Sequence, residues 1–359
     1  MDDDAFVSQL RFEDNRREYP RSIRRQIREV RAAVWKDYGD FEKTHEEGIR
    51  TERDHDIVVN LCVYPFVVPE LPPARLGYRF LRGAPLDELG GRNFDFLIFR
   101  REGKKPIAIF GEAKSSIVNF GSVVNEVAEK QKIVESKLDY IKSEYLKSNV
   151  DPICEYVLAV RTSFGTKTRD AIEQSGKPMI LWTVDYLKHR ELRLEQTPRG
   201  EPMRHLMAHN DEALTKVLAQ GTPSDSATFA FYPQSHIVSK LKTILAVKEE
   251  SEYALVAKFH KLRTYLGIQL SYLNDSQREA EFQAIITEAE KMGFVTVSKK
   301  TGELNLQSRY RKMKTLEEEL EKRWVRHKFE EESNAKVEAA RLAIQSEFTA
   351  REAKLPPLF

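Results

Sequence analysis

The sequence predicts an α/β protein: a mixed β-sheet core flanked by helices, then a mainly helical C-terminal domain and one long terminal helix. Three observations predict it. From about Phe41 to His189, short apolar runs suited to strands alternate with segments of helical periodicity. The span NFDFLIFRREGKKPIAIFGEAKSS reads as two strands joined by a tight Gly-Lys-Lys turn, an antiparallel hairpin. EYVLAV (155–160) and MILWTV (179–184) are buried-strand runs separated by a short helical segment at 166–175, which implies a parallel pair.

The elements follow in order. Residues 1–40 form a basic helical arm, with nine Arg or Lys against four Asp or Glu from Arg11 to Lys36. Ile23, Ile27, Val30 and Val34 recur there at helical spacing, so one face packs on something. The Arg-rich remainder suits a solvated or subunit-pairing arm, with phosphate contact as the alternative. Residues 41–190 make the sheet domain. It opens on a helix from Phe41 to Val63 that breaks into the Pro-rich stretch YPFVVPELPPAR, and it continues with a short strand at 79–82. A long helix spans 122–147, after the hairpin. Residues 191–234 read as a linker or extension, with QGTPSDSAT at 220–228. In 235–310, three helices (236–248, 252–266, 276–292) precede the hairpin FVTVSKKTGELNL, an order that suggests a winged-helix module. Residues 311–359 are a long charged helix whose apolar spacing is too irregular for a coiled coil.

The bulk properties exclude several classes. A composition 41% hydrophobic and 32% charged supports a real core and argues against a wholly disordered chain. The net charge of +2 carries no information about partners; only its distribution does. Cys62 and Cys154 form no CxxC pair, so a reducing, cytoplasmic setting is expected rather than a zinc knuckle or disulfide framework. The acidic start MDDDAFVSQLRFED has no apolar signal region, and no apolar run approaches a membrane span. There is no GxxxxGK[ST] loop and no GxGxxG.

The chemistry concentrates between Asp95 and Lys114. Asp95 lies among Phe94, Phe96, Leu97, Ile98 and Phe99, where a carboxylate is costly unless compensated. The next strand ends on Glu112 and Lys114, whose i, i+2 spacing points both to one face. The hairpin can bring Asp95 beside them. Two carboxylates on adjacent strands offer a hard oxygen site suited to Mg²⁺, with Mn²⁺ as a substitute. Such a cation lowers the pKa of bound water, and Lys114 can orient or help deprotonate that water and steady the transition state. The competing reading is a set of surface ion pairs at strand ends.

This Asp–x(16)–Glu–x–Lys arrangement resembles the PD-(D/E)XK nuclease superfamily, over roughly residues 41 to 189. The resemblance implies a restriction-endonuclease-like fold, with Asp95, Glu112 and Lys114 in the places of the motif residues. Phe94 stands where the family's name has Pro, and Gly111 before Glu112 allows close backbone approach. Many branches add an acidic residue from the preceding helix. Glu46, Glu47, Glu52 and Asp56 compete for that role, and Glu52 is chosen as a third metal ligand. On the long helix, Gln131 falls within the apolar stripe Val124, Val127, Val134, Leu138 and Ile141 and needs a partner. It resembles the Gln or Lys some branches place near the metal; satisfaction by a neighbouring backbone is the equal alternative. Lys130 and Lys132 beside it read as solvated.

The expected activity is a Mg²⁺-dependent DNA endonuclease of restriction or defence type. The alternatives are a repair or recombination nuclease on branched or single-stranded DNA, and a non-catalytic DNA-binding or assembly protein on the same fold. Lys299, Lys300, Arg309 and Arg311 are candidate DNA contacts in a basic wing. Cutting both strands of a duplex implies a homodimer, through the N-terminal arm or the C-terminal helix, and that helix can also dock a partner protein. His205 and His209 share helical spacing but lack a third ligand, so a metal site there is set aside.

Overall fold

The structure, a computed structural model, describes residues 18–86, 93–101, 105–185, 190–195, 208–223, 237–249, 255–270 and 273–352. It divides into two compact units, Ile49–Glu317 and Met1–Gly48 with Glu318–Phe359. Among the described residues no helix is long and apolar enough to cross a membrane.

The smaller unit joins the two segments expected to pair subunits. Helix α1 (Glu18–Lys36) carries the stripe of Ile23 and Ile27, which is buried with Val337 and flanked by Val30 and Ile344. Trp35, Tyr38 and Phe41 meet Phe329 edge-on, at 4.8, 4.9 and 5.1 Å between ring centres. The apolar face of the arm is therefore covered by the C-terminal helix of the same chain.

In the larger unit, seven strands form one sheet in chain order: β1 (Arg79–Gly83), β2 (Phe96–Arg100), β3 (Ile107–Lys114), β4 (Ile153–Arg161), β5 (Ile180–Asp185), β6 (Glu191–Leu194) and β7 (Thr222–Pro223). β1, β2 and β3 pair antiparallel, β3, β4 and β5 parallel, and β6 and β7 return antiparallel. The hairpin register sets Phe96 opposite Gly111 and Ile98 opposite Ile109. Alternation then sorts the side chains. Phe96, Ile98, Ile109, Val157 and Trp182 share one core with Val58, Leu61, Cys62 and Phe66 of helix α2 (Tyr38–Val67). Leu97, Phe110, Leu158 and Leu181 share the other with Val124, Val127 and Val134 of helix α3 (Phe120–Ser136) and Ile172 of helix α4 (Gly165–Ser175). With both faces covered, the central strands are continuously hydrophobic.

Three elements differ from expectation. α2 does not break at Val63 but runs through Pro65 to Val67. An interior proline costs about 3 kcal/mol. Burial of Val63 and Phe66, the latter stacked on Trp182 at 5.7 Å, offsets it at about 1.5–3 kcal/mol per side chain. α3 ends at Ser136 rather than 147, followed by a short turn and a π-helical turn at Ile141–Leu146 that closes on Lys147 at positive φ. Residues 191–234 contribute β6, β7 and helix α5 (Glu212–Gln220), whose Leu214 and Leu218 complete the α2-side core.

What ties that segment down is a buried polar network. Glu155 accepts from His209 Nδ1 (2.6 Å), from the Asn210 backbone N–H (2.6 Å) and from Asn210 Nδ2 (3.0 Å). Trp182 Nε1 donates to His209 Nε2 at 3.0 Å, so the ring carries its proton on Nδ1. Both nitrogens of His209 are thereby committed. His205, the other histidine of that pair, lies outside the described residues, as do Gly103 and Lys104 of the β2–β3 turn.

The C-terminal part of this unit runs helix α6 (Ile237–Ala246), strand β8 (Val256–Lys258), helix α7 (Phe259–Gln269), helix α8 (Asp275–Lys291), and strands β9 (Val295–Ser298) and β10 (Glu303–Leu306). The three strands pair antiparallel in the order β8-β10-β9. The second helix starts at Phe259 rather than 252 because Ala257 is drawn into register with Leu304. Asn274 and Gln277 close a reciprocal capping box at the start of α8. Helix α9 (Met313–Glu352) follows.

Candidate active site

The site lies where β3 and β4 end, at the carboxyl edge of the parallel strands, the usual position of ligand sites in open α/β sheets. Asp95 stands just before β2. Its backbone N–H donates to the Gly111 carbonyl at 2.9 Å, and its Oδ2 accepts from the Ala113 N–H at 2.6 Å. Those bonds fasten the Asp95 carboxylate to the residue between Glu112 and Lys114. Its Oδ1 lies 3.2 Å from His55 Nε2 of α2.

Glu112 is buried, and both its oxygens meet ammonium groups: Lys114 Nζ and Lys130 Nζ, each at 2.5 Å. Lys130 also reaches Glu126, one turn earlier on α3, at 3.0 Å, and Lys114 lies 3.4 Å from the same carboxylate. The two lysines differ in setting. The Lys114 side chain is 23% exposed and that of Lys130 only 4%, so Lys114 alone can meet a solute. At the end of β4, Arg161 pairs with Asp54 of α2 at 2.8 Å.

Burial, reinforced by the charge of Asp95, pushes the Glu112 carboxyl up to about 7 against the pull of both lysines. Burial works against the Lys114 ammonium, yet the Glu112 carboxylate outweighs it and holds the amine above its ordinary range. His55 follows the same balance: burial opposes its charge, and the hydrogen bond and charge of Asp95 raise it nonetheless. Burial raises Glu126, but Lys130 and Lys114 bring it below the usual carboxylate range.

The Glu112 shift fixes a pH dependence. Its folded value lies above its ordinary one, so between about pH 4.5 and 7 the unfolded chain ionises while the folded one does not. Stability falls as pH rises through that window and levels off above it. His55 acts in the same sense, its contribution present below its ordinary value and lost as pH rises. Glu112→Gln removes the larger part. Melting temperatures from pH 5 to 8 in EDTA should decline more steeply for wild type than for Glu112→Gln; parallel profiles would refute the assignment.

Of the expected residues, Asp95, Glu112 and Lys114 are brought together at one strand end. Glu52 is exposed on α2, and the contact to Asp95 from that helix comes from His55, three residues on. Gln131 Nε2 donates to the Pro178 carbonyl at 3.2 Å, a backbone partner rather than a place at the metal. Its neighbour Lys130, expected in solvent, is the buried residue that reaches Glu112. The signal that points to Lys130 is spacing: it follows Val127 by three and precedes Val134 by four, on the buried face of α3. His55 escapes a sequence search of α2 that considers carboxylates alone. Lys299 and Lys300 lie exposed at the β9–β10 tip, and Arg309 and Arg311 exposed beyond β10.

For a divalent cation, Asp95 and Glu112 supply hard oxygen donors, and Mg²⁺ needs only one or two carboxylates besides water and phosphate. Burial and the charge of Asp95 raise Glu112 even against both lysines, and a cation between the two carboxylates would offset that repulsion, so the donor chemistry fits. Among the described residues no group of three or more His, Cys, Asp or Glu side chains is gathered as a metal site. Comparison with family models, curated proteins and solved structures finds no match.

Proposed function

We propose that this chain is a Mg²⁺-dependent DNA endonuclease of the PD-(D/E)XK type, with Asp95, Glu112 and Lys114 as its catalytic residues. One observation carries the reading. The Asp95 carboxylate is hydrogen-bonded to the backbone of Ala113, the middle residue of the Glu-x-Lys strand, while Lys114 touches Glu112. Surface ion pairs at strand ends need no such cross-strand bond. An antiparallel β1–β2–β3 followed by parallel β4 and β5 also accords with a restriction-endonuclease-like core. The order helix, strand, two helices and hairpin accords with a winged-helix module.

Asp95 and Glu112 would hold the cation, which when bound supplies Lewis-acid activation of water and of the phosphoryl group. The chain's own groups set the rest. Partly exposed beside Glu112, Lys114 offers charge to phosphoryl oxygens and a donor that orients the attacking water. Lys130 holds Glu112 from the buried side, and His55 orients Asp95.

The test is incubation of supercoiled plasmid, linear duplex and single-stranded DNA with the purified chain, in Mg²⁺ and in EDTA. Mg²⁺-dependent cutting of the duplex substrates is expected, with discrete fragments for a restriction-type enzyme. Preference for single-stranded or branched DNA would favour a repair nuclease. If every substrate stays intact, the catalytic reading is lost.

A further inference from the structure

From the β9–β10 tip to the first turn of α9 the chain places six cations on the surface: Lys299 and Lys300 at the hairpin tip, Arg309, Arg311 and Lys312 beyond β10, and Lys314 at the start of α9, all exposed. The one acid in that span is Glu303. Exposed Tyr310 lies among them, with the Arg309 guanidinium 5.0 Å from its ring centre and Nη2 donating to its hydroxyl at 2.9 Å. Strands of four residues separate tip from connector by about 13 Å, close to four base-pair steps of a duplex. The open end of the hairpin is fixed by the Gln307 N–H donating to the Phe294 carbonyl at 2.8 Å, so the connector leaves from a defined position.

The third helix of the same module has the opposite character. In helix-turn-helix modules that helix enters the major groove. Here α8 exposes Asp275, Glu279 and Glu290 against Lys291 at its last position. Glu279 is held by Arg263 (2.9 Å) and Gln283 (2.8 Å), and Asp275 pairs with Arg278. Laying this face into a groove flanked by phosphates would set like charges together.

We propose that the module grips the phosphate backbone of a duplex through the hairpin tip and residues 309–314, the connector with the start of α9, without reading bases through α8. The choice of nucleic acid as the occupant follows from charge complementarity and rests on the nuclease reading of the same chain. Cations that neutralise phosphates give a binding constant that falls with salt, by about 0.9 in log–log slope per phosphate on duplex DNA. Six cations therefore allow a slope of up to about 5 in magnitude. Each reversed pair should remove about 2 of it.

The experiment is fluorescence anisotropy of labelled duplexes with the full chain in EDTA, from about 50 to 300 mM NaCl, the range over which counterion release is read. Wild type is compared with the double variants K299E/K300E and R309E/R311E and with E279Q/E290Q, alongside selection from a randomised duplex pool. Expected are no enriched motif that depends on α8, at least tenfold weaker binding with a shallower salt slope for both charge reversals, and wild-type or tighter binding for E279Q/E290Q. No binding by wild type at the lowest salt, unchanged affinity and slope in both reversals, or a motif lost on changing α8 would each overturn the proposal. Cleavage in Mg²⁺ run in parallel separates the two readings. Reversal variants that bind and cut like wild type sink the grip and leave the nuclease. A chain that binds with the expected slope but cuts nothing leaves the grip and removes the nuclease.

Discussion

Replacing Lys114 with alanine should lower the cleavage rate by about 10²–10³-fold, the usual cost of losing one group that stabilises developing charge. The fold should survive, because Lys114 is partly exposed and Glu112 keeps its second ammonium, Lys130. Lys130→Ala should show the converse emphasis. Its side chain is buried with Glu112, and breaking a buried pair costs about 3–5 kcal/mol, less here because Lys114 remains. Steady-state cleavage and urea unfolding of both variants distinguish the roles. Equal loss of activity with equal loss of stability would show that the two lysines are interchangeable props for Glu112, and Lys114 would then lose its catalytic place.

Gly111→Ala should be among the most damaging single-methyl changes in the chain. A Cβ at this position would stand 1.9 Å from Phe96 Cζ, its cross-strand partner. The ring has nowhere to go: Phe96 is fully buried and stacks on Trp182 at 5.9 Å, and Trp182 stacks in turn on Phe66. Overpacking costs about 1–3 kcal/mol, and a disrupted aromatic stack adds about 0.5–1.5 kcal/mol per pair. The sum is a large share of the roughly 5–15 kcal/mol typical of a domain. It also shifts Glu112, the next residue, so cleavage should fall with stability. Gly48 in α2, where an added methyl would meet nothing within 4 Å, is the contrast: Gly48→Ala should leave melting unchanged or raise it. If Gly111→Ala melts like wild type, the tight crossing of Phe96 over β3 is wrong.

The sheet and the heart of the site were legible because they are encoded locally. Apolar runs of strand length, a tight turn and an i, i+2 pair need only neighbouring residues to be recognised. What escaped depends on distant partners. Lys130 reads as solvated until Glu112 is known to lie above its helix face, and a charge within an apolar stripe is discounted by any rule that assigns charges to solvent. β6, α5 and β7 looked like a linker because their docking rests on Glu155 holding His209 and Asn210 across the sequence. Pro65 signals a break locally, whereas the stacking of Phe66 on Trp182 carries the helix past it. The short β8 is a strand only because β10 offers an edge.

The packing of Ile23 and Ile27 on Val337 bears on how the chain is made. A ribosome releases the arm long before the helix that covers it, so the apolar stripe of α1 must wait, uncovered, while the sheet-bearing unit is synthesised. Closing so long a loop costs entropy that grows only with the logarithm of its length, so the final state is little penalised. The delay is kinetic rather than thermodynamic. A nascent or truncated chain lacking the last helix would carry that stripe exposed, and early-stopped products should be the ones that associate or call on chaperones.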